Sequence, residues 1–236
     1  MMVVPIHLVI NACGVEHKKI FQALCHYMPL LYGQKVLLKS INIARKERMP
    51  KLELDDQHRY TLDGRRLISV TQALSILDDR WKVDPFYLER GRLIHLATEY
   101  YDNDELDEST VDERIAPYLS AYIKFVKDTA FSPTFVEHQL YHPQFFYAGK
   151  IDRIGIWLNT DQHIIDLKSG AKTDVDKLQG AAYWELCLAN KIPIKKTFDL
   201  YLKDDGNYSL VEVEKPKLLL PVFLAALTCA RFKEGL

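Results

Sequence analysis

The stretch Gly149-Lys150-Ile151-Asp152-Arg153-Ile154-Gly155, followed by Ile164-Ile165-Asp166-Leu167-Lys168, decides the fold. Both segments are strand-like, and residues 159–162 supply a turn between them. Successive side chains of a strand alternate between its two faces, so Asp166 and Lys168 share one face. Asp152 joins that face if it pairs in register with the second strand, which requires an odd number of loop residues or a bulge. We therefore predict that two carboxylates and a lysine project together.

Two carboxylates on neighbouring strands offer the hard oxygen ligands that Mg²⁺ and Mn²⁺ prefer. Such an ion stabilises negative charge on a phosphate under attack and lowers the pKa of a bound water. A nearby lysine adds a point charge that can hold a phosphate oxygen or orient the water. The pattern therefore indicates phosphodiester hydrolysis. From these residues alone, an exposed hairpin with cross-strand Asp–Lys surface pairs is an equally good interpretation.

Two further motifs flank these strands, Gly91-Arg92-Leu93-Ile94-His95 upstream and Gln179-Gly180-Ala181-Ala182-Tyr183 downstream. Together with the Asp152 segment, a spacer of 13 residues and Asp166-Leu167-Lys168, they resemble the PD-(D/E)XK nuclease superfamily, and in particular its RecB-like exonuclease branch. The resemblance covers roughly residues 60–235. It implies an α/β fold with a restriction-endonuclease-like core, in which α-helices flank a central mixed β-sheet.

The resemblance also implies a role for each matching position. His95, Asp152 and Asp166 would be ligands of Mg²⁺ or Mn²⁺, with the backbone carbonyl of Leu167 as a further ligand. Lys168 would be the catalytic lysine, acting with the two aspartates. Taken alone, His95 would more simply be a packed helix histidine.

Supporting roles fall on residues outside the two strands as well. Gln179 and Tyr183 would steady the site or contact DNA, since positions i and i+4 share one face of a helix. Glu137 stands where many relatives carry a glutamate, although a surface glutamate at a strand edge is an equally good interpretation. The basic candidates for contact with the DNA backbone are Lys150, Arg153, Lys172 and Lys177.

Composition limits the classes of function. The 236 residues, of which 48% are hydrophobic, predict one domain or one domain with an extension. No apolar run reaches the roughly 18 residues that a membrane span needs, so a membrane role has no support. The formal net charge of -1 neither predicts nor excludes a nucleic-acid partner, because basic residues can be confined to one groove.

The cysteines are scattered and form no CxxC pair that would indicate zinc or an iron–sulfur cluster. Some RecB-like nucleases carry such a cluster on four cysteines, three of them close together near the C-terminus. This chain has only Cys187 and Cys229 in that half, so we expect no iron–sulfur cluster. Cys13 and Cys25 complete the set, and all four are expected to be reduced thiols in a cytoplasmic protein, in the host cytoplasm if the protein is phage-encoded.

Periodicity elsewhere predicts a β-hairpin over residues 60–68 that turns at Asp63-Gly64. Helices are predicted over residues 85–101, 115–127, 176–189 and 218–233, with Pro133 ending the second. The acidic run 102–108 is predicted to be a solvated loop.

The sequence as a whole predicts a metal-dependent deoxyribonuclease, and the resemblance favours an exonuclease of recombination, repair or phage DNA processing. Its substrate would be single- or double-stranded DNA, and recombination or single-strand-binding proteins are candidate partners. The alternative is a nucleic-acid-binding module that keeps the fold without turnover.

Residues 1–48 carry seven Lys or Arg against two Asp or Glu, and they contain no motif. We predict that this basic extension is dispensable to the nuclease domain of residues 49–236. A chain that begins at Met49 should then melt at an unchanged temperature and keep its activity. Equal folding with weaker and less salt-sensitive DNA binding would instead show that the extension is a DNA-binding arm. An insoluble product would show that it belongs to the fold.

Overall fold

A computed structural model describes residues 50–57, 59–78, 84–157 and 161–236. The basic extension, residues 1–48, lies outside the described residues. Eight described strands form one sheet in the order β1-β2-β3-β5-β6-β7-β8, with β4 paired to β5. The strands are β1 (Leu52–Leu54), β2 (Tyr60–Leu62), β3 (Arg65–Ser69), β4 (Ser132–Tyr141), β5 (Tyr147–Ile156), β6 (Gln162–Lys168), β7 (Lys196–Leu202) and β8 (Tyr208–Glu212).

Five α-helices flank this sheet in the described part of the chain. They are α1 (Val70–Leu74), α2 (Pro85–Asp102), α3 (Ala116–Thr129), α4 (Asp174–Ala189) and α5 (Pro216–Glu234). The sheet is mixed, because β5 pairs in parallel with β3 and antiparallel with β6, while β6 pairs in parallel with β7. The predicted α/β fold, with helices flanking a central mixed sheet, is confirmed.

Side chains of β6 show how the two layers of helices attach. Ile164 is buried in a cluster with residues of α1, α4 and α5. Its neighbours Ile165 and Leu167 are buried in a second cluster with residues of α2 and α3. The alternation of strand side chains thus sends successive residues of β6 into two separate hydrophobic cores.

Strand β5 is shared between more partners than an ordinary central strand. One of its edges pairs with β4 from residue 148 to residue 156. The other edge pairs with β3 at Tyr147 and Ala148, and with β6 from Arg153 to Ile156. In the described structure, residues 149–152 have no strand partner on that second edge. The sheet is therefore open at the position of Asp152.

Two local predictions were wrong in detail. Helix α3 ends at Thr129, where Ala130 adopts a left-handed φ of 52°, and Pro133 lies inside β4. Proline is tolerated there because β4 is an edge strand, in which a missing N–H costs little. The acidic run is not wholly solvated, since α2 continues through Asp102 and the side chain of Asp102 is only 2% exposed.

No helix among the described residues has the length and apolar character needed to cross a membrane.

Close packing at Gly155 of β5 generates a stability prediction. A Cβ atom there would lie 2.4 Å from the carbonyl oxygen of Ser132 and 2.5 Å from the ring of Phe131. Gly155→Ala should lower the free energy of unfolding by about 1–3 kcal/mol, the usual cost of overpacking. Gly170→Ala is the control, because a Cβ there meets nothing within 4 Å. Urea unfolding of both variants checks this, and equal stability would contradict it.

Candidate functional site

The opening beside β5 forms part of a cavity of about 620 Å³. Side chains from α2, β4, β5, β6 and α4 line it, and they include most of the residues that the motifs singled out. Those residues are His95, Glu137, Asp152, Asp166, Lys168, Gln179 and Tyr183.

Strand register brings the two predicted aspartates to this cavity. Arg153 pairs with Ile165, so the next position inward sets Asp152 opposite Asp166. The strands separate there, and the backbone N–H of Leu167 donates a hydrogen bond of 2.7 Å to the Asp152 carboxylate instead of to a strand partner. Asp152 and Asp166 therefore lie at the same level of β5 and β6, beyond the last paired residues of the two strands.

A group of possible metal ligands lies on the β4 side of Asp152. One ligand atom each from His95, Glu137 and Asp152 lie within 4.8 Å of one another. The Nδ1 atom of His95 is 3.4 Å from Asp152 Oδ1 and 3.5 Å from Glu137 Oε1. Glu137 adopts a left-handed φ of 50°, which is uncommon for a residue other than glycine and is often found at functional sites.

The charges in this group favour a cation. Burial by itself lowers the pKa of His95, but the carboxylates of Asp152 and Glu137 outweigh it and raise that pKa to about 10. Burial raises the pKa of Asp152, but His95 and the Leu167 N–H hold it well below its usual range. The two carboxylates thus stabilise one positive charge between them. The proton on His95 can supply that charge, and a divalent cation could replace this proton and be held by all three side chains, so the donor set fits Mg²⁺ or Mn²⁺.

A second group lies on the β6 side of Asp152. The Nζ atom of Lys168 pairs closely with the carboxylate of Asp166 and donates a hydrogen bond of 2.8 Å to Gln179 Oε1. The Nε2 atom of Gln179 lies 3.4 Å from Asp166 Oδ1 and 3.2 Å from the hydroxyl of Tyr183. Burial lowers the pKa of Lys168, but Asp166 and Asp199 outweigh it and raise that pKa above its usual value. Burial raises the pKa of Asp166 well above its usual value, and Lys168 offsets this only in part.

The predicted metal ligands fall into two groups, and the group around Asp152 differs in membership from the ligand set that the sequence predicted. In the described chain, the ligand cluster includes Glu137, for which a surface position was an equally good interpretation. The Asp166 carboxylate is instead held by Lys168 and Gln179. Asp166 and Leu167 line the same cavity, and the ligand roles of the Asp166 carboxylate and the Leu167 carbonyl remain predictions.

The four residues predicted to contact the DNA backbone differ in how exposed they are. Arg153 is completely buried, so it cannot reach a nucleic acid, and that prediction was wrong. Lys150 lines the cavity and pairs with Glu137, with 41% of its side chain exposed. Lys172 and Lys177 are exposed, and Lys177 also pairs with Asp174 at 2.8 Å. These three lysines remain candidates.

Sequence reasoning missed Asp102, which pairs closely with Arg153. It follows His95 by seven residues, and that spacing places both on one face of α2. Thr98 lies between them on the same face and accepts a hydrogen bond of 2.9 Å from Arg153 Nη2. The helical spacing was the signal that could have found Asp102.

Comparison with known proteins found similarity only among solved structures. No family model and no curated protein matches the chain. An Eubacterium rectale protein named "Putative exonuclease" matches at a TM-score of 0.48 and 11% identity, over 72% of this chain and 82% of its own. The protein SSO0001 matches at 0.38 and 15%, over 70% and 75% of the two chains. An alkaline exonuclease from Laribacter hongkongensis matches at 0.36 and 12%, over 72% and 92%.

The motifs that resemble the PD-(D/E)XK nuclease superfamily meet at one cavity of a mixed sheet. The residues that those motifs singled out therefore lie together around one opening of the sheet.

The ligand group predicts the effect of Glu137→Gln. The amide keeps the size of the side chain but removes a charge that favours a cation. Mn²⁺ binding, measured by isothermal titration calorimetry, should weaken by at least about tenfold, since even changes beside a ligand commonly cost 10- to 100-fold. Glu185→Gln is the matched control, because Glu185 contacts His142 and does not line the cavity. Unchanged affinity in Glu137→Gln would remove Glu137 from the ligand set.

Proposed function

We propose that the protein is a metal-dependent nuclease that hydrolyses phosphodiester bonds of DNA. One observation carries the proposal: the group of His95, Glu137 and Asp152 shares a cavity with the Asp166–Lys168 pair. A cation site next to a held lysine is a combination suited to phosphodiester hydrolysis.

His95, Glu137 and Asp152 would hold Mg²⁺ or Mn²⁺. Asp166 and the Leu167 carbonyl would complete the ligand set from the opposite strand. A cation held there would stabilise negative charge on the scissile phosphate and lower the pKa of a water molecule. The chain's own contribution is to bring its carboxylates together in a half-closed cavity, where electrostatic interactions are stronger than in bulk water.

Lys168 would act on the reacting groups directly. Its ammonium carries three donors, and Asp166 and Gln179 accept from it. The remaining donor can hold a phosphate oxygen or orient the attacking water. Gln179 and Tyr183 fix the lysine and the aspartate relative to each other, because the Gln179 amide contacts all three partners. They would therefore steady the catalytic pair.

The type of nuclease and its biological role are proposed from the sequence motifs. Their resemblance to RecB-like enzymes supports an exonuclease of recombination, repair or phage DNA processing that acts in the cytoplasm. We propose that three lysines contact the DNA backbone. They are Lys150, which lines the cavity, and Lys172 and Lys177, which follow β6 in the chain. Recombination or single-strand-binding proteins are the proposed protein partners.

End-labelled single- and double-stranded DNA, incubated with the purified protein and Mg²⁺, Mn²⁺ or EDTA, tests the proposal. Release of labelled nucleotides with either metal and none with EDTA is the expected result. Binding of DNA without cleavage under every condition would support the rival function, a nucleic-acid-binding module without turnover. Products of internal cleavage would show that the protein is an endonuclease and not an exonuclease.

Lys168→Met separates the lysine's role from metal binding. The variant should lower kcat on the order of 10²- to 10³-fold, as the loss of one preorganised electrostatic group does elsewhere. Mn²⁺ binding should not weaken, because removing a positive charge beside a cation site reduces Coulomb repulsion. Lys127→Met, which alters an exposed lysine of α3 outside the cavity, is the control. A kcat equal to that of the wild type would exclude the catalytic role of Lys168.

A further inference from the structure

Arg153 is the largest fully buried side chain among the described residues. A buried charge is tolerated only when it is paired and its hydrogen-bonding groups are satisfied. Arg153 meets that condition through four hydrogen bonds. Its Nε atom donates to Asp102, its Nη2 to Thr98, and its Nη1 to Glu137 Oε1 at 3.0 Å and to the carbonyl of Asp152 at 2.7 Å.

These bonds connect the three elements that carry the candidate ligands. Glu137 lies on β4 and Asp152 on β5, and Arg153 donates to both. Thr98 accepts from Arg153 and donates its own hydroxyl hydrogen to the carbonyl of His95 at 2.9 Å. The guanidinium therefore reaches the carboxylate of one ligand, the backbone of a second, and the helical turn of the third through a single hydroxyl.

Further contacts hold the guanidinium of Arg153 on the side away from Glu137 and Asp152. The Tyr122 hydroxyl lies 2.9 and 2.8 Å from the two carboxylate oxygens of Asp102, where it donates a hydrogen bond. The centre of the Tyr122 ring is 5.7 Å from Arg153 Cζ, which is the range of a cation–π contact. Asp102 and Tyr122 thus hold the arginine in one orientation, and only a planar fork of donors can serve all its partners at once.

We propose that Arg153, oriented by Asp102, is a positioning residue for the metal centre. It fixes the Glu137 carboxylate, whose backbone is in the left-handed region, and it ties the His95 turn to β5. A carboxylate accepts about four hydrogen bonds, so the Glu137 oxygens bonded by Arg153 and Lys150 still have positions for a cation. This inference rests on the proposed function, because it concerns the site that would bind the metal.

The main test is Arg153→Lys, which keeps the charge and loses the fork. One ammonium cannot serve Asp102, Thr98 and Glu137 in their present positions. Calorimetry with Mn²⁺ should show an affinity about 10- to 100-fold lower than that of the wild type, the range for residues that orient metal ligands. The Mn²⁺ concentration for half-maximal cleavage should rise by a similar factor, while kcat at saturating Mn²⁺ should change much less. An unchanged Kd for Mn²⁺ would overturn the proposal.

A double variant covers the case in which Arg153→Lys fails to fold. Asp102→Asn with Arg153→Met removes both charges together and leaves no unpaired buried charge, so it should fold. It should show the same loss of Mn²⁺ affinity.

The matched control is Tyr147→Phe, which removes a buried hydrogen bond of 2.9 Å from β5 to the carbonyl of Ala182. It should lower the melting temperature and leave the Kd unchanged. An equal loss of affinity in this control would reduce the effect to general destabilisation and overturn the proposal. If the wild type itself binds no Mn²⁺, the metal centre of the proposed function fails, which is a result distinct from a wild type and variants that bind alike.

Discussion

The strand register around Asp152 is the constraint on which the rest of the site depends. The pairing of Arg153 with Ile165 sets Asp152 opposite Asp166, and the pairing of Val136 with Arg153 sets Glu137 at the level of Asp152 on the other side. Three carboxylates therefore meet across three adjacent strands. A slip of one residue would turn Asp152 toward the opposite layer of helices and bring Arg153 into the cavity. Register is thus as important to this site as the identity of its residues.

Three carboxylates so close together need compensation, and the structure supplies it on both sides. Lys168 pairs with Asp166, while His95, Lys150 and Arg153 surround Glu137. Asp152 contacts His95 and also accepts a hydrogen bond from the Leu167 N–H, at the point where β5 and β6 separate. The opening of the sheet therefore produces the cavity and also supplies a donor to the carboxylate within it.

Much of this arrangement could be predicted from the sequence, because it depends on local periodicity. Strand alternation placed Asp166 and Lys168 on one face, and the helices predicted over residues 85–101 and 176–189 contain His95 and Gln179. The role of Arg153 was predicted wrongly because charge was taken as a sign of exposure. Alternation alone puts it on the face opposite Asp152. The left-handed φ of Glu137 could not be predicted, since it depends on contacts between segments far apart in sequence.

Asp152 and Arg153 show why one short motif can serve two purposes. Because neighbouring strand residues point to opposite faces, the carboxylate enters the cavity while the guanidinium enters the layer beneath α2 and α3. Replacing buried ion pairs by apolar residues is often neutral or stabilising, so the Arg153 network is a poor choice for stability alone. An apolar core could not orient the carboxylate of Glu137. A hydrophobic contact leaves a carboxylate free to rotate, whereas the hydrogen bonds of a guanidinium fix its orientation. The buried charges beneath the site are therefore best understood as the source of its geometry.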